Sequence, residues 1–524
     1  MIKHLGIVLV ALNIGVAAST EDQTTSTEGQ GEMAAGSDDD DVEAVFRMAY
    51  QLNNPARGTT FDLDPSTSPD AFEFGMYQLV YGGLARFTPD GEVVPDLAES
   101  VTLIDTETIE VVMREGAVFP DGAAIDAEAV KGALEARLAT PDIPGYGADF
   151  YNLSSVDVVD DMTLRLTIAG GTAAAWYDIA LPGSGGIIVP PGTDFSQPSG
   201  AGPFRVLEHA PGERLILEKN PEYWDADSIQ VDRIEIVNAV DAQSRMAALN
   251  SGQVDWTTID HVQINAADTG LTVDIREDAA NLVSLTMCKT EEPFTNPDVR
   301  RALSMAIDRE AISDAIFGGR AVPASSLWPD DHDLYNPDVA DLYPYDPDAA
   351  REMLAEAGYP DGFEFSIIPI PTAGMPEIAQ VVQQEFAEIG VTMKIEQTSN
   401  FIEDVYVNPT VPMSVTSTTS GSGLRRLQQW SGPAIGNICD YADPALNAVV
   451  QELSTVQSGS PEAAELWQKA QEIVVGDALS IFVAFQPSVT AYNPERFDGE
   501  PVRAGAPGNA TLGLPDLRSV VVRP

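Results

Sequence analysis

Basic residues are scarce in this chain. Its 524 residues hold 28 lysines and arginines against 81 aspartates and glutamates, a formal net charge of −53 at pH 7, and only six of the bases are lysines. A surface of that sign repels phosphate backbones and anionic headgroups, which excludes nucleic acid as a partner and speaks to solubility rather than fold. Histidine is scarcer, with four residues. His4 lies in an N-terminal apolar segment, leaving His209, His261 and His332 as imidazole bases. His209 adjoins the turn pair Pro211-Gly212 and His332 an Asp-rich loop, the settings of exposed structural histidines. There is no G-x-S-x-G, no H-E-x-x-H, no C-x-x-C and no glycine directly before a lysine, so the nucleophile elbow, the zincin helix and the P-loop are all missing. No cofactor is implied. With 81 carboxylates, acid pairs arise by chance and none is singled out. Beyond the first residues no long apolar run occurs, which excludes a multi-span membrane protein.

What is present reads as an ordinary globular body. Hydrophobic residues make up 44% and charged residues 21%, and the length predicts about three domains. Lys3 followed by Leu5 to Ala18 has the length of a signal h-region, with Val16, Ala17 and Ala18 as small cleavage-site residues. The stretch is similar to a bacterial lipobox except that Ser19 stands where the lipidated cysteine belongs, so cleavage after Ala18 without lipidation is expected. Residues 19–43 carry nine acids and no base, and read as a disordered acidic tether. Its run Asp38 to Asp41 reads as solvated charge before it reads as a calcium site.

Alternation predicts strands at Thr108 to Met113, Ser155 to Val159, Thr163 to Ile168, Leu215 to Glu218 and Ile234 to Val237. Asp126 caps a helix reaching about Ala139. Asn296 as N-cap with Pro297 at N1 opens a helix striped by Val299, Leu303, Ala306, Ile307 and Ile316, which runs to Gly318-Gly319. Asp346 and Pro347 repeat that punctuation before Met353, Leu354 and Gly358. Strand Phe363 to Pro369, helix Met375 to Ile389 and strand Val391 to Gln397 have the order of a right-handed parallel βαβ unit, which gives this half its own parallel sheet. No linker separates the halves. The class is mixed α/β.

Blocks along residues 44–524 resemble the peptide and nickel type, family 5, solute-binding proteins of ABC importers. They include Leu63-Asp64-Pro65, Val94-Pro95-Asp96-Leu97-Ala98-Glu99-Ser100, Gly200-Ala201-Gly202-Pro203-Phe204 and Asn220-Pro221-Glu222-Tyr223-Trp224. Further on come Asp298-Val299-Arg300-Arg301-Ala302-Leu303, Ala306-Ile307-Asp308-Arg309 and Leu354-Ala355-Glu356-Ala357-Gly358-Tyr359-Pro360. Each has a mechanical reading as well, Asn-Pro as a turn and the arginines near 300 as partners of local acids on a helix surface.

The resemblance implies an α/β bilobed periplasmic-binding-protein-like type II fold with an extra domain. Domain I is then 44–80, 202–281 and 486–524, domain II 81–201 and domain III 282–485. It implies an exported monomer, periplasmic or on the cell surface, that encloses a small-molecule or oligopeptide ligand by lobe closure and hands it to permease subunits. A secreted hydrolase and a ligand-sensing subunit are the alternatives. Ligand-facing positions implied are Asn53, Met287, the loop with Thr418 and Ser420, and the strand at Phe485 and Gln486. The segment Ser414 to Ser420 lacks the aspartate that peptide binders use for an amino terminus. Arg425, Arg426 and Trp430 follow: the arginines either clamp a ligand anion or neutralise nearby acids, and Trp430 either stacks on the ligand or is core. Clustered histidines for nickel are missing, and no metal is expected. Cys288 and Cys439, on the segments that enter and continue domain III, are expected to pair, since an exported chain keeps its disulfides.

Overall fold

Capping residues set most helix starts in the computed structural model, which describes residues 43–54, 59–65, 71–88, 92–138, 153–372, 374–418, 426–427, 429–431, 437–456, 459–498 and 517–523. The signal segment, nearly all of the tether, Ser420 and Arg425 lie outside the described residues. Helix α1 is Ala71–Tyr81. Helix α2, Ala127–Leu138, begins where Asp126 Oδ1 accepts from Ala129 N at 2.9 Å. Helix α3 is Ala242–Asn250.

The helix expected from Asn296 through Gly318 is instead two, α4 (Pro297–Met305) and α5 (Arg309–Phe317). The apolar stripe runs on across the break, but Asp308 turns to an extended conformation and its side chain accepts from Ala311 N, starting a second helix. Gly318, at φ 61°, ends it as a left-handed cap. Helices α6 (Pro347–Glu356) and α7 (Met375–Glu388) follow, then α8 (Pro444–Leu453) and α9 (Pro461–Gly476).

Strand β1 is Val45–Tyr50. A four-stranded antiparallel sheet comes next, β2 (Ala98–Leu103), β3 (Thr108–Met113), β4 (Leu153–Val158) and β5 (Thr163–Ile168), in the order β2-β3-β5-β4. The chain then supplies β6 (Phe204–Ala210), β7 (Arg214–Lys219), β8 (Arg233–Asn238), β9 (Trp256–Thr258) and the long β10 (Thr272–Met287). Last come β11 (Val322–Pro323), β12 (Glu364–Ile367), β13 (Thr392–Ile395), β14 (Met413–Thr418) and β15 (Ile481–Tyr492). With β1 these form one mixed sheet ordered β6-β7-β8-β1-β9-β15-β10-β14-β12-β13, with β11 beside β15. The βαβ unit is parallel as expected. It is not a separate sheet, however, because β12 continues through β14 into the antiparallel β10 and β15.

Apolar side chains of the described residues gather into six clusters, three of them the largest. One joins β1, β7 and β8 to α1, a second joins the four-stranded sheet to α2, and a third joins β10, β12 and β14 to α4, α5 and α7. Two of the family-like blocks meet in a buried knot. Asp96, fully buried, accepts from Tyr223 Oη at 2.5 Å, Trp224 Nε1 at 3.1 Å and Arg518 Nη2 at 3.0 Å. Burial alone would push its pKa up, but the Arg518 charge and these hydrogen bonds prevail and lower it.

Arg301 pairs with Asp298 and Asp477 as expected of a surface arginine. Arg300 does not. It is buried and donates to the carbonyls of Asp477 and Ala478, just beyond α9, and of Phe294 in the loop before α4.

Candidate functional site

Two long strands, β10 and β15, carry the chain from one half of the large sheet to the other. Residues 272–276 pair with 488–492 beside β9, and residues 281–285 pair with 481–486 beside β14, with an irregularity between Arg276 and Asn281. Pro487, which has no amide proton to give a ladder, lies opposite that irregularity. The sheet is therefore least continuous where the two halves join.

On the β14 side, strict alternation separates two faces. Val283, Leu285 and Met287 point into the core under α4, α5 and α7. The other face carries Ser284 opposite Thr416, Thr286 opposite Ser414, and Leu282 opposite Thr418. It is a row of hydroxyls with no charge. Ser414 Oγ donates to Ile368 O at 2.7 Å, and Thr418 Oγ1 donates to Leu282 O at 3.3 Å. Thr286 and Thr416 are 3% exposed, and the Tyr406 hydroxyl is the side-chain hydrogen-bond partner of both. The Tyr406 hydroxyl acts on both threonines, and burial raises its pKa.

Thr418, Phe485 and Gln486 come together here. Leu282 pairs with Thr418 on one side and Phe485 on the other, and Gln486 pairs with Asn281 at the crossing. Met287 stands at the opposite end of β10, fully buried in the apolar core. Asn53 is distant in topology. It pairs with Thr60, and its Oδ1 crowds the Gly212 turn between β6 and β7, where a Cβ would meet it at 2.9 Å.

Trp430 is core, packed with Leu282, Leu427 and Phe485, and its Nε1 donates to Ser480 Oγ at 2.9 Å. Arg426 is buried, donates to Leu327 O and lies 5.8 Å from the Trp328 ring centroid. Burial lowers its pKa to about 10, so it stays charged. Cys288 and Cys439 are disulfide-bonded, with Cα atoms 5.3 Å apart. Sequence reasoning missed Ser284, Thr286, Tyr406 and Lys289. The first two were legible in the alternation of residues 282–287. Lys289 donates from a buried Nζ to Met287 O at 3.0 Å, and burial, followed by the Arg300 charge, lowers its pKa to about 7.

The remaining imidazoles are dispersed: His209 against Phe61, His261 against Phe317 and His332 stacked on Trp328. A small cavity at Ser304, Arg309, Ser325, Tyr343, Ser480 and Phe482 has none of the expected ligand residues in its lining. Among the described residues no helix is long and apolar enough to cross a membrane.

Comparison with known proteins fits this architecture. The family model for "Bacterial extracellular solute-binding proteins, family 5 Middle" matches residues 92–426. The chain is similar to the glutathione-binding protein GsiB of Pectobacterium atrosepticum, 29% identical over 483 residues, which are 85% of this chain and 90% of that one. GsiB of Salmonella typhimurium is 30% identical over 356 residues, 65% of this chain and 68% of the relative. Among solved structures, AgaA of A. tumefacien R10 in complex with agropinic acid superposes with TM-score 0.79 at 20% identity, over 92% of this chain and 99% of that one. DppA of Helicobacter pylori with peptide STSA gives 0.77 at 21%, over 92% and 98%. These are binding proteins rather than enzymes, which removes the hydrolase alternative. The chain belongs to the bacterial extracellular solute-binding proteins of family 5, the substrate-binding components of ABC importers.

Proposed function

We propose that this chain captures a compact, polar, peptide-like or sugar–amino-acid solute on the hydroxyl-bearing face of β10 and β14 and delivers it to an ABC permease. The observation that carries this reading is the uncharged row of hydroxyls on Ser284, Thr286, Ser414 and Thr416, with the Tyr406 hydroxyl against it, beside Thr418, Phe485 and Gln486. Neutral donors and acceptors bind amides and hydroxyls without the desolvation cost of a buried charge. The glutathione-binding relatives and the agropinic acid and peptide complexes support a solute of this size and polarity. An anionic group on the solute is met by Arg425 or Arg426, the latter also donating to Leu327 O. A free α-amino group is not required.

The β10–β15 crossing supports capture by lobe closure, with the domain boundaries at 281/282 and 485/486 acting as the hinge. The three largest apolar clusters support three domains in that arrangement. The protein acts as an exported monomer in the periplasm or at the cell surface. Titration calorimetry against glutathione, tetrapeptides and opine-type conjugates tests the reading. Binding by at least one, weakened about tenfold or more in Thr416→Val, is expected from loss of a buried hydrogen bond to ligand. Equal affinity of Thr416→Val and parent would refute the hydroxyl face as the site.

A further inference from the structure

The disulfide is part of a larger cluster. Cys288 follows directly on β10, Cys439 sits in the one-turn segment Ile438–Asp440, and Glu291 lies in the loop between β10 and α4. One ligand atom from each, the two sulfurs and a carboxylate oxygen, all fall within 4.8 Å of one another. Cys288 is buried, Cys439 half-buried and Glu291 exposed, so the cluster opens to solvent on the carboxylate side. Both backbones are tethered independently of the S–S bond. Cys288 N donates to Pro412 O at 2.7 Å, and Asp443, four residues beyond Cys439, caps α8 through Ala445 N and Leu446 N. Cys439 and Asp440 both occupy the left-handed region, at φ 63° and 48°, which non-glycine residues seldom adopt without a local demand.

We infer that the reduced form of this cluster, Cys288 and Cys439 thiolates with the Glu291 carboxylate, is a site for a soft divalent metal of the zinc or cadmium type. The chemistry balances in two steps. A dithiol or phosphine reductant supplies two electrons, the S–S bond breaks, and the sulfurs take up two protons as thiols. The metal then displaces those protons as it forms two metal–sulfur bonds, and the Glu291 carboxylate supplies the third ligand with water as the fourth. Two thiolates and a carboxylate suit a tetrahedral borderline-soft divalent ion, whereas the absence of a histidine in the cluster disfavours nickel(II) and copper(II). Metal–sulfur bonds of about 2.3 Å place the sulfurs about 3.8 Å apart, an opening that the Cα separation of 5.3 Å accommodates. Either state, disulfide or metal-bridged, closes the same loop between residues separated by 151 positions. The staple therefore has a second form available to chains that have not been oxidised.

The test uses the full chain, reduced with a phosphine, stripped with chelator and kept anaerobic. Cadmium is titrated while the ultraviolet thiolate-to-cadmium charge-transfer band and the melting temperature are followed. The expected result is a band saturating at one cadmium per chain with a rise in melting temperature. Unreduced protein should show no band, Cys439→Ser should lose it, and Glu291→Gln, which leaves the disulfide and fold intact, should bind about tenfold or more weaker. Carboxylate-only binding on the acidic surface gives no such band, so it does not imitate the result. The inference is overturned if reduced protein titrates two thiols yet shows neither band nor thermal rise, or if Glu291→Gln binds as tightly as the parent.

Discussion

Removing the Arg518 side chain should destabilise the protein far more at neutral pH than in acid. Asp96 is fully buried, and the Arg518 side chain is 12% exposed, so the pair is largely out of water. Arg518→Ala leaves Asp96 with Tyr223 and Trp224 as donors but without its cation. Breaking a buried pair from one side costs about 3–5 kcal/mol. The parent's Asp96 has a lowered pKa, so its contribution is full above the unfolded carboxylate range and fades as pH falls below about 4. In the variant, burial acts without the cation and raises the same pKa, so acidification relieves the unpaired charge. The deficit at pH 7 should therefore shrink steadily toward pH 4. Urea unfolding followed by tryptophan fluorescence across that range measures it, urea being chosen because an ionic denaturant would screen the pair. Tyr223→Phe, which loses one hydrogen bond and no charge, should cost less than Arg518→Ala. A deficit below about 1 kcal/mol at pH 7, or one that does not change with pH, would refute the reasoning, since an exposed ion pair contributes only that much.

Burial, reinforced by the Asp308 and Glu388 charges, raises the Glu385 pKa to about 7. The penalty therefore builds between the unfolded carboxylate range and about pH 7 and is complete above it, so Glu385→Gln should be more stable by about 1 kcal/mol at pH 8, after discounting for solvent screening, yet nearly equal at about pH 4; equal melting at both would contradict this. Replacing Cys288 and Cys439 by serine should cost up to about 5 kcal/mol from loop-closure entropy, and denatured, unreduced parent should show no thiol with Ellman's reagent. Arg426→Ala should lower thermal stability through loss of its tie to Leu327 O, and Arg425→Ala should weaken binding of anionic solutes. With a net charge of −53, the melting temperature should rise between low and molar sodium chloride as self-repulsion is screened; a fall would contradict it.

Local punctuation made much of the fold readable. Asp126, Asn296 and Asp346 each cap the helix they were expected to cap, because a side-chain oxygen two or three residues from its target needs no distant partner. The break at Asp308 was missed because apolar periodicity runs on through it, and periodicity alone does not register a change of helix axis. Arg300 was unreadable for a different reason: its acceptors, Asp477 O and Ala478 O, lie more than 170 positions away. The joining of β10 to β15 across the sheet is non-local in the same way. At the site, Met287 and Thr286 show the sensitivity of strands to parity. One step along β10 exchanges a core methionine for a hydroxyl on the opposite face.

Native mass spectrometry of the parent and of Thr286→Val/Thr416→Val, each mixed with glutathione or a tetrapeptide, addresses solute capture on the β10–β14 face most directly. The account predicts one bound solute per parent chain with at least one probe, and loss of that adduct in the double variant with its fold retained by circular dichroism. Undiminished adduct in the double variant, or a bare parent chain with every probe, would contradict it.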